Sequence, residues 1–252
     1  MKLRMEGVEF SYGSDPILQN ICLELHPSEV LGILGPNGSG KTTMLKCING
    51  ILTPKQGSIA LDAEEVRSMP RQDVAKNISY VPQNSQNIAS PNVFEVVLMG
   101  RRPHIKWEFG ERDKEIAWKA MEDMGVKMFA SVEFSKLSSG QAQRVLIARA
   151  IAQETRILLL DEPTSNLDIK HQIDVMNTIH RTVHDMKIGA CAIVHDLDLA
   201  MRFCDRIILL SEGRIVAAGP TRTVLTPANI KNVYGVDSVI DESYRRPRVL
   251  IL

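Results

Sequence analysis

Apolar and polar positions alternate through Leu3-Arg4-Met5-Glu6-Gly7-Val8-Glu9-Phe10 and again through Ile21-Cys22-Leu23-Glu24-Leu25, the period-two pattern of half-buried strands. Gly57-Ser58-Ile59-Ala60-Leu61 predicts another strand, and Val30-Leu31-Gly32-Ile33-Leu34 is apolar enough to predict a strand buried on both faces. From roughly residue 86 to 154 the period changes. Residues 93–99 and 114–124 repeat apolar positions at helical spacing. Three short apolar runs follow: Ile157-Leu158-Leu159-Leu160, Ala190-Cys191-Ala192-Ile193-Val194 and Arg206-Ile207-Ile208-Leu209-Leu210, with helical stretches between them. Buried strands that alternate with helices predict an α/β fold with a mainly parallel sheet. The N-terminal strands predict an antiparallel β part, and the block at 86–154 an inserted helical subdomain. The whole chain, 1–252, then reads as one domain: a core of approximately 1–85 and 155–220, the inserted block, and a short tail at 221–252.

The P-loop sits between a buried strand and a helix. Gly35-Pro36-Asn37-Gly38-Ser39-Gly40-Lys41-Thr42-Thr43 follows Leu34, and the helix predicted from Thr43 stops near Asn49-Gly50. Its glycines let backbone N–H groups close on phosphate oxygens, and the helix aims its positive end at the same place. Lys41 reaches the β- and γ-phosphates, and the Thr42 hydroxyl is a ligand for Mg²⁺. The expected substrate is a nucleoside triphosphate with Mg²⁺, on a P-loop NTPase core.

A second candidate site is Asp161-Glu162, two carboxylates at the end of a buried strand. Asp161 is placed to hold Mg²⁺, and Glu162 to orient and deprotonate an attacking water. Leu137-Ser138-Ser139-Gly140-Gln141 opens the helix predicted over 142–153. A serine there caps a helix, and a helix N-terminus with free N–H groups also binds phosphate. Since the chain has its own cradle, a second one makes sense for a nucleotide held by another copy.

The order P-loop, Leu137 to Gln141, Leu158-Leu159-Leu160-Asp161-Glu162-Pro163-Thr164, Asn166-Leu167-Asp168 and His195 resembles the ATP-binding subunit of ABC transporters, over the chain to about residue 220. The resemblance implies roles residue by residue. Tyr12 would stack on adenine. Gln83, in Tyr80-Val81-Pro82-Gln83, would contact Mg²⁺ and water and link to the membrane subunit. Asp161 would be the metal-binding aspartate, Glu162 the catalytic glutamate, and Leu137 to Gln141 the signature that meets the partner's ATP. Ser165-Asn166-Leu167-Asp168 would cross the dimer, and His195 would contact the γ-phosphate. Ser139 departs from the family's usual glycine, and Val194 from the usual small polar residue. The implied assembly is a head-to-tail homodimer with two ATP molecules between the copies. It would drive polytopic permease subunits at the cytoplasmic face of the membrane, fed by an extracytoplasmic solute-binding protein.

Composition narrows this. Lys plus Arg is 30 and Asp plus Glu is 30, so no basic excess supports a nucleic-acid partner. No apolar run reaches the length of a membrane span, and no signal-peptide core follows Met1, so a cytosolic protein is expected. Cys22, Cys47, Cys191 and Cys204 sit in apolar contexts and read as reduced core residues. His180 and His184 stand four apart on a predicted helix with no evident third metal ligand, so they read as a solvated face.

Val96-Val97-Leu98-Met99-Gly100-Arg101-Arg102-Pro103-His104 resembles a stretch of the ATPases of iron-siderophore, haem and cobalamin importers, and of some molybdate or tungstate importers. It lies where import ATPases meet their membrane partner. Read as local structure alone, it is a helix end with Gly100 as its cap. Val224-Leu225-Thr226-Pro227 and Val233-Tyr234-Gly235-Val236 in the tail fit the same subgroup. A soluble ABC ATPase of the iron–sulfur assembly type is the alternative. No long coiled coil of the DNA-repair kind and no second ATPase copy of the translation-factor kind is present.

Overall fold

The computed structural model describes residues 2–83, 91–165, 167–243 and 247–252. The chain opens with the long hairpin β1 (Leu3–Tyr12) and β2 (Asp15–Leu25), then β3 (Glu29–Leu34) and α1 (Lys41–Ile48). Next come β4 (Gln56–Leu61), the two-residue β5 (Glu64–Glu65), α2 (Arg71–Asn77) and β6 (Ile78–Val81). The described residues between β6 and the next strand are mainly helical: α3 (Val93–Leu98), α4 (Glu111–Asp123) and α5 (Ser139–Ala152), with short 3₁₀ turns. Then β7 (Ile157–Leu160), α6 (Ile169–Asp185), β8 (Gly189–Ile193), α7 (Leu197–Phe203), β9 (Arg206–Ser211) and β10 (Arg214–Pro220) complete the core. The tail holds α8 (Thr221–Val224), α9 (Pro227–Tyr234) and a hairpin of β11 (Ser238–Asp241) and β12 (Arg248–Ile251).

The main sheet runs β10-β9-β3-β8-β7-β6 and is parallel except for β10; an antiparallel sheet runs β2-β1-β4-β5. Period-two packing explains how they stack. In β3, Val30 and Leu34 face one core and Leu31 and Ile33 the other; in β7, Leu158 and Leu160 divide from Ile157 and Leu159 in the same way. The first core lies beneath the helical block, α6 and α7. The second lies beneath α1 and the antiparallel sheet. One face of the parallel sheet is thus covered mostly by the antiparallel sheet of the N-terminal strands.

Several local expectations change. The predicted helix at 114–124 starts earlier, at Glu111, with Asp113 accepting from the Gly110 N–H. Residues 84–90, which include the expected start of the helical block, lie outside the described residues. Cys47, Cys191 and Cys204 are buried, but Cys22 is exposed. The alternation of β2 turns Ile21 and Leu23 inward, and Cys22 must then point out. Burial pushes the Cys47 thiol up to about 12, so it is inert as a thiolate.

The stretch 99–104 is a 3₁₀ helix in which Gly100 and Arg101 are buried and Met99, Arg102 and His104 are exposed. Gly100 is not a cap. A Cβ there would stand 2.2 Å from the Arg149 carbonyl oxygen, so glycine lets this turn lie against α5. Arg101 is buried rather than presented to a partner. Its guanidinium donates to Asp113 Oδ1 at 3.0 Å, to Glu154 Oε2 at 2.9 Å and to the Ala152 carbonyl at 2.7 Å. Arg101 therefore ties the turn after α3 to the start of α4 and the end of α5. His104 adds a 2.7 Å contact to the Gln153 carbonyl. Arg101→Ala should cost about 3 kcal/mol, because it leaves the largely shielded Asp113 carboxylate with no charged partner and only the Gly110 N–H. Urea denaturation reads this; a loss under about 0.5 kcal/mol would place the arginine among ordinary surface pairs.

Candidate functional site

The ladder of the parallel sheet assembles the site. Val81 pairs with Leu160, Leu160 with Ala192, and Ala192 with Gly32. Four strands therefore end on one edge, and each hands the chain to a chemical segment. β3 leads to the P-loop, β6 to Gln83, β7 to Asp161-Glu162 and β8 to His195. Ligands of open parallel sheets bind at such carboxyl edges.

The P-loop conformation follows from steric limits. Gly35 has φ 151°, and a Cβ on it would lie 1.9 Å from the Leu210 carbonyl oxygen, so no other residue fits without displacing β9. Gly40, in a left-handed conformation, stands at the start of α1, and Lys41 is the helix's first residue. The Lys41 ammonium donates to the carbonyls of Gly35 and Pro36, at 2.8 and 2.7 Å, which arches the loop around it. Burial lowers the Lys41 pKa, while Glu162 and Asp161 oppose that shift. Ser39 is also buried, and its hydroxyl has no partner among the described residues. A shielded ammonium and an unpaired hydroxyl inside a loop of N–H donors suit an anionic ligand.

Asp161 is 2% exposed and joins three elements. Its Oδ1 accepts from Thr42 Oγ1 and its Oδ2 from the Tyr80 hydroxyl, each at 3.0 Å. Burial raises its pKa, and the two hydrogen bonds pull it back. Glu162 is held on both oxygens, with Gln83 Nε2 donating to Oε2 at 2.5 Å and His195 Nε2 at 2.7 Å from Oε1. Its backbone has φ 51°, a conformation that costs a non-glycine residue about 1 kcal/mol or more and persists where surroundings enforce it. Asn37, Gly38, Gly40, Lys41, Thr42, Thr43, Gln83, Glu162 and His195 line one open cleft of about 650 Å³.

Other expected residues fall elsewhere. Tyr12 is 52% exposed and edge-on to Phe10, outside the cleft lining; Ile17 lines it from the same hairpin. Leu137 to Gln141 do not line the chain's own cleft. Ser138 caps α5, its Oγ accepting from the Gln141 N–H while Gln141 Oε1 accepts from the Ser138 N–H. Ser139 begins the helix without a positive φ, so the departure from glycine strains nothing there. Ser138 and Ser139 are exposed. Asp168 caps α6. Asn166 lies outside the described residues. Sequence reasoning missed Tyr80 and Ile17. A tyrosine in a short buried strand needs a partner for its hydroxyl, and that requirement pointed to the nearby carboxylates.

The sequence profile of ABC transporters matches residues 18–165, more than half of the chain. The chain belongs to the ABC transporter family. It is 46% identical over 241 residues to an uncharacterised ABC transporter ATP-binding protein of Methanocaldococcus jannaschii, covering 96% of this chain and 94% of that one. It is 38% identical over 245 residues to a hemin import ATP-binding protein of Bordetella avium, covering 94% of each. Among solved structures, an ABC transporter assigned to the metal-chelate type, in an inward-facing conformation, superposes with a TM-score of 0.86 at 29% identity, over 99% of this chain and 96% of that one. This ABC protein is accordingly an ATPase with the cassette fold. Lys41→Ala should weaken ATP binding at least about tenfold, through loss of a shielded charge–phosphate contact. Titration with a fluorescent ATP analogue measures it, and unchanged affinity would contradict the phosphate cradle.

Proposed function

We propose that this ABC ATPase is the energy-coupling subunit of an importer for a metal chelate of the iron-siderophore, haem or cobalamin kind, working beneath a separate permease at the cytoplasmic face of the membrane. One observation carries the catalytic part: Glu162 stands between Gln83 and His195 at the same strand edge as the P-loop. The cargo class is supported by the hemin import relative and the metal-chelate neighbour. No helix among the described residues is long and apolar enough to cross a membrane.

In this reading, residues 86–154 form the helical subdomain. Its exposed apolar side chains, Trp107 at 92% and Met128 at 76%, suit the permease contact better than the buried Arg101 does. The signature segment lies outside the chain's own cleft, and this supports a head-to-tail dimer in which Ser138 to Gln141 meet the ATP of the other copy. Tyr12, exposed at the end of the β1–β2 hairpin whose Ile17 lines the cleft, stacks on adenine. The tail after residue 221 is taken as part of the subunit.

ATP is bound by the P-loop amides, Lys41 and the α1 N-terminus. Thr42 Oγ1 and Asp161 offer hard oxygen donors 3.0 Å apart, and Gln83, which lines the same cleft as Thr42, carries an amide oxygen; donors of this kind fit Mg²⁺. When bound, Mg²⁺ neutralises charge on the β- and γ-phosphates. Glu162 accepts the proton of the attacking water, Gln83 and His195 fix its carboxylate, and Lys41 stabilises the negative charge that develops.

Glu162→Gln should keep ATP affinity and lower turnover about 10²–10⁴-fold, the usual range for a general base. ATP should then hold the variant as a dimer on size exclusion. Turnover within a few-fold of wild type would remove Glu162 as the base, and an ATP-bound monomer would count against the head-to-tail arrangement. For the transport reading, tagged protein drawn from detergent-solubilised membranes of its source should bring a polytopic permease and a solute-binding protein with it. Recovery of soluble partners alone would favour the iron–sulfur assembly alternative.

A further inference from the structure

The helix α6 carries His180 and His184 on one face, one turn apart, near its C-terminal end. Their rings pack with centroids 4.3 Å apart. The pair has the i, i+4 spacing that lets two imidazoles chelate one ion from a single helix. No third ligand on that helix face is evident from the sequence, but the fold supplies one. Asp205, in the turn between α7 and β9, brings a carboxylate to the same point, with His184 Nε2 3.9 Å from Asp205 Oδ2. One ligand atom from each of the three residues lies within 4.8 Å of the other two. Around a zinc ion with bonds of roughly 2.0–2.2 Å, neighbouring ligand atoms stand about 3.4 Å apart, within reach of small rotamer changes.

Asp205 is held more firmly than an ordinary surface carboxylate. Its Oδ2 accepts from the Val30 N–H at 2.8 Å, its own N–H donates to the Val30 carbonyl at 2.9 Å, and its carbonyl accepts from Thr221. A carboxylate fixed by backbone bonds is a pre-oriented ligand, since partners of this kind set ligand direction. The donor chemistry selects the ion. Two imidazole nitrogens and one carboxylate oxygen suit Zn²⁺ and similar divalent transition ions, whereas Mg²⁺ prefers oxygen alone.

We propose that His180, His184 and Asp205 form a binding site for a zinc-class divalent ion that staples the end of α6 to the amino-terminal edge of the parallel sheet. The site is separate from the nucleotide cleft. β3 starts beside Asp205 and ends at the P-loop, and its six residues span about 20 Å. Asp168, the cap of α6, lies about 24 Å along the helix from His184. Such an ion binds the folded chain alone and so raises its stability, because the unfolded chain does not bring the three ligands together.

The test is a calorimetric titration of metal-stripped protein with ZnCl₂ in excess Mg²⁺, on wild type, His184→Ala and the His180→Ala/His184→Ala pair, with Tm measured alongside. Wild type should bind one more Zn²⁺ than the double variant and gain Tm on binding. His184→Ala should bind that ion at least about tenfold more weakly, since even outer-shell losses cost about 10- to 100-fold. Both variants alter partly exposed side chains, and an unchanged metal-free Tm confirms folding; should the pair fold poorly, His184→Gln takes its place. Equal zinc stoichiometry and affinity in wild type and variants would overturn the proposal and leave a His184–Asp205 surface pair with His180 packed against it. Cys22 and His171, which also face solvent, bind equally in all the proteins and cancel in the comparison.

Discussion

The Asp161 carboxylate is the constraint on which the site depends. It is nearly inaccessible to water, and burial of a charge is costly without partners. Its two oxygens are taken up by Thr42 from α1 and Tyr80 from β6. A single buried group thereby registers the P-loop helix, the edge strand β6 and its neighbour β7 against one another. A shift of any of the three would leave a shielded charge or hydroxyl unpaired. The next residue, Glu162, inherits this rigidity. Its backbone has a positive φ, and its carboxylate is held on both oxygens by Gln83 and His195.

What could be read from the sequence was whatever depended on local order. Apolar runs of four or five residues gave β3, β7, β8 and β9, because strands buried on both faces have no polar positions to confuse the pattern. The P-loop, Asp161, Glu162 and His195 were legible because each follows directly on such a run. β6 was not. It has four residues, two of them polar, Ser79 and Tyr80, and both are satisfied only by partners distant in the chain. The tail hairpin was missed for a related reason: β12 presents mostly exposed apolar residues, and its Val249 N–H bonds to Asp198 of α7.

Charge was the least legible property. Arg101, in a run with Arg102 and His104, reads as surface, yet it is buried where Asp113 and Glu154 converge. Sequence gives no means of knowing that two carboxylates 12 and 53 positions away will meet one guanidinium. The same holds for Asp205, which the fold brings to two histidines across β8 and α7. Cys22 differs, since alternation within β2 already demanded that it face outward between Ile21 and Leu23. The apolar neighbours were read as its environment, when in a strand they occupy the opposite face.

The proposed head-to-tail dimer rests on where the two phosphate-binding segments lie. The cleft offers donors to the phosphates from one side, while the other exposed helix start with serine hydroxyls, at Ser138 and Ser139, lies outside it. The capping box there does not close that helix end to a ligand. Ser138 Oγ takes up the Gln141 N–H, but a helix leaves about four N–H groups unpaired at its start, so donors remain after one cap. A helix that uses its cap to stay formed while keeping donors free is suited to receive phosphate from outside its own chain. Ser139 fits that use. It lies within the helix, needs no special backbone angle, and adds a hydroxyl where the family's glycine would leave only backbone. In the proposed head-to-tail dimer, Ser139 would therefore add a donor facing the other copy's nucleotide without disturbing the fold that presents it.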